Sequence, residues 1–123
     1  MKFALCFAFL FFLPLSYPSD RVVEWITETE HDFGDLLHED EQTFDFTFRN
    51  ISDRAIVIDN VRPQCGCTAP NWDKTPIEPD STGVISITYN AAKGGYFRKK
   101  IKVFFSGQRK AEKLYVEGYV EEE

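Results

Sequence analysis

The sequence predicts an all-β domain of two packed layers. Three observations predict it. Apolar and polar residues alternate with period two through most of the chain after Val22. Turn residues recur between the alternating segments, and no segment carries the three-to-four spacing of an amphipathic helix.

Val22–Ile26 and Asp32–Leu37 are predicted as the first, weaker strands. Thr43–Arg49 follows, with Phe44, Phe46 and Phe48 on one side and polar residues on the other, which describes a half-buried strand. Asn50-Ile51-Ser52-Asp53 is a turn before the β-branched run Ala55–Val61. Pro70, Pro76 and Pro79 lie in a stretch that cannot form a central strand. Pro70–Asp80 is therefore expected as a structured loop crossing between the sheets, anchored by Ile77. Val84–Tyr89 alternates again, with Ile85, Ile87 and Tyr89 on one side. Phe97, Ile101, Val103 and Phe105 share a strand face with Lys99, whose ammonium must snorkel or sit at the sandwich edge. Ser106-Gly107-Gln108 makes a hairpin into a last strand carrying Leu114, Val116, Gly118 and Val120. About seven short strands fit an immunoglobulin-like antiparallel β-sandwich.

The first 19 residues differ in composition from the rest. Lys2 gives a basic start, Phe3–Leu13 is almost wholly apolar, and a polar exit leads to Asp20 and Arg21. This is the pattern of a secretory signal peptide, and the apolar run is too short to span a bilayer. Residues 1–19 are expected to be the signal peptide and 20–123 the sandwich domain. Cys6 lies within the apolar run, so no lipid-attachment motif is read. Residues 20–123 hold 13 basic and 20 acidic side chains, a net charge of −7. Such a balance argues against nucleic acid or anionic lipid as partner and suits a periplasmic or secreted protein.

Gln64-Cys65-Gly66-Cys67-Thr68 is the one motif with possible redox or metal chemistry. In an extended strand both thiols would share a face. Three uses compete: two buried, inert thiols; a Cys65–Cys67 disulfide, which would need the backbone to bend at Gly66; and a metal site. Four ligands close a zinc site, and the two histidines, His31 and His38, belong to a distant segment. No metal, cofactor or catalytic residue is assigned.

Several of these strings resemble the bacterial "domain of unknown function 1573" family. They are His31-Asp32-Phe33-Gly34, Phe48-Arg49-Asn50, Ile56–Val61, Cys65-Gly66-Cys67-Thr68 and Pro76-Ile77-Glu78-Pro79. They continue through Ile85–Tyr89, Gly95–Lys99 and Val116-Glu117-Gly118-Tyr119-Val120. The resemblance spans Glu30 to Val120. Asp80 stands where the family usually has glycine after the second proline. The resemblance implies an immunoglobulin-like sandwich related to hydin-type and pilus-chaperone-like domains, in exported proteins of the Bacteroidetes lineage. It implies no activity and no ligand.

The expected function is a non-catalytic binding or structural module, acting through a sheet edge or end loops on an unknown protein or glycan of the cell envelope. Trp72 is one candidate contact; the competing reading makes it a cover over the core edge. Arg98, Lys100 and Lys102 form another, in a basic cluster with Lys99, Arg109, Lys110 and Lys113. That cluster would suit an anionic glycan, or would only guard a sheet edge against aggregation. A thiol-redox role for Cys65 and Cys67 is a further alternative.

Overall fold

The computed structural model describes residues 20–122. The expected signal peptide lies outside the described residues. Among the described residues, eight strands form two four-stranded sheets. They are β1 (Val23–Trp25), β2 (Glu30–Leu36), β3 (Gln42–Asn50), β4 (Ile58–Pro63), β5 (Thr68–Trp72), β6 (Thr82–Tyr89), β7 (Gly95–Phe105) and β8 (Glu112–Val120). One sheet runs β1-β3-β6-β5 and the other β2-β8-β7-β4. The predicted sandwich is present, with one strand more than expected. One pair, β2 with β8, runs parallel; the other strand pairs are antiparallel.

The extra strand is β5, which holds Pro70 inside a segment expected to be loop. Proline is tolerated there because β5 is an edge. Cys67 O accepts from Asn90 N at 3.0 Å, so the ladder alternation turns Ala69 and Asn71 toward β6 and Pro70 outward. The run Ala55–Val61 also divides. Ile56 forms a separate bridge with Ile77, and β4 begins only at Ile58. Ile77 packs against the core, as its anchoring role required. Asp80 has φ 64°, the left-handed geometry that glycine ordinarily supplies, so the turn survives the replacement.

The core lies between the sheets, filled by every second residue. Phe46, Phe48, Ile85, Ile87, Ile101, Val103, Leu114, Val116 and Val120 are fully buried. Aromatic pairs link the layers: Phe48 with Phe105 at 4.9 Å edge-on, and Tyr89 stacked on Phe97 at 3.7 Å. His31 stacks on Phe44 at 3.7 Å, and burial pushes its pKa down against the pull of Asp32 and Glu28. Lys99 is half-buried in register with the core residues, consistent with a snorkelling side chain.

Gly118 makes room for this packing. A Cβ there would lie 2.9 Å from both the Phe97 ring and the backbone oxygen of Gly34, in the β2 bulge. Gly118→Val is expected to lower stability by about 1–3 kcal/mol through overpacking, read as a reduced urea midpoint.

Candidate functional site

The outward face of the β2-β8-β7-β4 sheet carries the clustered charge. Alternation along β7 turns Tyr96, Arg98, Lys100 and Lys102 away from the core. Register then sets their neighbours. Lys102 lies opposite Lys113 of β8 on one side and Arg62 of β4 on the other. Lys100 lies opposite Tyr115. Three cations therefore occupy one row across three strands, with Lys100 one step along. Among the described residues, none of these four cations has a carboxylate within ion-pair distance. Like charges directly opposite each other on a sheet are destabilising by roughly 0.2–1 kcal/mol. The row is an unfavourable arrangement for the free domain and a favourable one for an anion.

Arg62 stands over the Phe104 ring at 5.2 Å, which holds the guanidinium against the sheet. A shallow groove of about 290 Å³ runs between β4 and β7, lined by Arg62, Pro63, Gln64, Lys100 and Lys102. Gln64 fixes its floor: its N–H donates to Lys100 O at 2.9 Å, and its Oε1 accepts from Lys100 N at 3.1 Å.

Arg98 does not belong with the free cations. It donates to Glu30 at 2.7 Å, lies 3.5 Å from Glu117 and covers the Tyr115 ring at 4.4 Å. The Glu30 hydrogen bond raises its pKa further. Tyr96 donates to Glu117 at 2.9 Å, which pushes the phenol pKa up. The predicted cluster thus splits. Arg98 is neutralised, while Lys100 and Lys102 join Arg62 and Lys113. Arg62 carried no sequence signal, because only the β4–β7 pairing places it there. Arg109 and Lys110 lie in the β7–β8 turn, beyond the row.

Trp72 is half-buried in β5 and packs against the core cluster. Its Nε1 is buried with no hydrogen-bond partner among the described residues. The side chain covers the core edge while part of it stays accessible in a shallow depression with Asn71, Asp73, Val84 and Ser86. The sheet edges nearby are also poorly suited to strand addition. Pro70 and Pro63 lack N–H groups at outward positions, and the Val61 N–H is taken by Asn60 Oδ1 at 2.9 Å.

Cys65 and Cys67 lie in the turn between β4 and β5, not in the strand expected for them. The chain must leave one sheet and enter the other here, and Gly66 lies at the bend. The pair forms a disulfide with Cα atoms 5.2 Å apart, inside the range that a bridge requires. Both cysteines are half-buried and Gly66 is exposed. His31 and His38 serve elsewhere: His38 Nε2 lies 3.0 Å from Ala92 O. Among the described residues no three His, Cys, Asp or Glu side chains gather as a metal site. No described helix is long and apolar enough to cross a membrane.

This architecture defines a PapD-like, immunoglobulin-like sandwich domain. The PapD-like domain 7 of human CEP192 superposes with a TM-score of 0.69 at 11% identity, covering 90% of this chain and 93% of that one. A protein of unknown function from Porphyromonas gingivalis W83 matches with a TM-score of 0.68 at 17% identity. That likeness covers 80% of this chain but spans only 46% of the Porphyromonas chain. The secreted serine protease VesC from Vibrio cholerae also matches, at TM-score 0.58 and 15% identity, over 80% of this chain and 23% of its own. These likenesses share the fold. Residues 24–120 match the family described as protein of unknown function DUF1573, and the chain belongs to that family. No curated protein matches the sequence.

Proposed function

We propose that this chain is an exported, non-catalytic binding module that holds an acidic glycan on the outward face of β4, β7 and β8. The row Arg62–Lys102–Lys113, unpaired and joined by Lys100, is the observation that carries the reading. The charge stands out on a domain that is otherwise acidic, so an anionic polymer would be drawn to this face and repelled elsewhere. The Phe104 and Tyr115 rings lie on the same face, each with a guanidinium over it, Arg62 and Arg98 respectively. The signal-like residues 1–19 support placement in the periplasm or outside the cell, where such polysaccharides are met. A non-catalytic role agrees with the PapD-like fold and with a family that has no assigned activity.

Binding of polygalacturonate, with neutral dextran as control, tests this reading. At low salt the polyuronate is expected to bind and dextran is not. Screening by moderate salt should weaken the complex strongly. Lys102→Glu is expected to reduce affinity about tenfold, equivalent to about 1.4 kcal/mol. Arg98→Ala should change it far less, because Arg98 is already paired. Absence of polyuronate binding at low salt, or equal losses in the two variants, would overturn the assignment.

A further inference from the structure

We infer that the Cys65–Gly66–Cys67 turn is a thiol-exchange site, a property separate from glycan binding. Its chemistry is reversible disulfide exchange with a low-molecular-weight thiol or the dithiol of a partner protein.

Four observations converge on the turn. The bridge links residues only two positions apart, so it removes little freedom from the unfolded chain and adds little stability as a staple. The turn does not need the sulfurs to keep its shape. Thr68 N lies 3.5 Å from Cys65 O, Asn90 N donates to Cys67 O at 3.0 Å, and Gln64 N donates to Lys100 O at 2.9 Å. These bonds hold both ends of the turn whether the bridge is open or closed, so both redox states are folded and the sulfurs stay in reach of each other. Third, the site is reachable: both cysteines are only partly buried, Gly66 between them is exposed, and a Cβ built on Gly66 would meet nothing within 4 Å. Exposed disulfides are the exchangeable ones. Fourth, the turn adjoins the cationic groove through Gln64, which gives a partner a surface beside the bridge.

The two sulfurs are not equivalent. Cys67 packs against the core cluster and Cys65 does not. The incoming thiolate therefore attacks Cys65 Sγ. The new bond joins Cys65 to the external sulfur, the Cys65–Cys67 bond breaks, and Cys67 leaves as a thiolate that takes a proton from water. A second external thiolate attacks the external sulfur of the mixed disulfide and releases Cys65 as a thiolate, which is protonated in turn. Two external thiols become one external disulfide, and the bridge gains two electrons and two protons. The reverse sequence reoxidises the turn.

The purified chain should be equilibrated in glutathione buffers of graded reduced-to-oxidised ratio, alkylated and read by peptide mass spectrometry, which counts Cys6 separately. The bridge is expected to pass from closed to open within that series, with the β-sheet circular dichroism spectrum retained throughout. Reduced Cys67→Ser, which keeps Cys65, is expected to form a mixed disulfide with oxidised glutathione at least tenfold faster than reduced Cys65→Ser does. Three results would overturn the proposal: free thiols even in fully oxidised glutathione, a bridge reduced only after denaturant unfolds the domain, or loss of the sheet spectrum on reduction. Equal rates in the two single-cysteine variants would overturn Cys65 as the attacked sulfur. Polyuronate affinity measured on the same samples reads the glycan site independently, so failure of one proposal is distinguishable from failure of the other.

Discussion

Phe48→Ala is expected to destabilise the domain by about 3–5 kcal/mol, a large part of the roughly 5–15 kcal/mol that holds a domain of this kind together. Phe48 is 0% exposed. Its ring meets Phe105 across the sandwich at 4.9 Å and Trp25 at 5.6 Å, both edge-on. Truncation removes the burial of the ring, deletes two aromatic contacts and leaves a void between sheets whose backbones are fixed by their ladders. Gly83 provides an internal check. It lies opposite Phe48 in the β3–β6 pair, and a Cβ there would fall 2.4 Å from the Phe48 ring. Gly83→Ala alone should therefore be destabilising. In the Phe48→Ala background the same methyl enters the void, so the double variant should be more stable than Phe48→Ala. Urea unfolding followed by tryptophan fluorescence measures all three, and simple additivity would show that the two side chains do not share the space.

The features behind this prediction were legible in the sequence, and the contrast with the illegible ones is physical. Phe44, Phe46 and Phe48 announce a buried face because strand periodicity is local, so each strand declares its inward side without reference to its neighbours. Pairing is not local. Arg62 and Lys113 flank Lys102 only because β4 and β8 sit on either side of β7, and nothing in the spacing of these residues records that. The partner of Arg98 is hidden for the same reason: Glu30 reaches it from β2, 68 positions away in the chain. Pro70 was read correctly as foreign to a central strand, but edge status depends on sheet order. The cysteine pair lies in a turn because the chain crosses from one sheet to the other there, and local spacing does not record that crossing.

Asn50 is the residue whose importance was least visible, and Asn50→Asp is expected to cost about 3–5 kcal/mol at neutral pH, as an unpaired buried charge does. In the sequence Asn50 reads as an ordinary turn former before Ile51-Ser52-Asp53. In the structure it is 0% exposed and joins three segments. Its Nδ2 donates to Arg54 O at 2.8 Å and Ile77 O at 2.9 Å. Its Oδ1 accepts from Ser52 N at 2.9 Å and from the Ser52 hydroxyl at 2.7 Å. Its backbone N–H donates to Ser81 O at 2.9 Å, and its carbonyl accepts from Asp80 N, also at 2.9 Å. Asp has nearly the same shape, so no void forms, but a carboxylate oxygen would face two carbonyl oxygens without a donor. The folded state then favours the protonated acid, which can still donate one hydrogen bond, and the pKa of the introduced carboxyl is raised above its unfolded value. The sign follows directly. The deficit relative to the natural chain is fullest above the folded-state pKa and shrinks as pH falls through it toward the unfolded value. Asn50→Ala loses the same donors without adding charge, so its cost, about 2–4 kcal/mol, should be nearly independent of pH. Urea titrations of the three proteins at neutral and mildly acidic pH separate the cases. A pH-independent deficit for Asn50→Asp would mean that water reaches the site and that the three segments are not held by a buried amide.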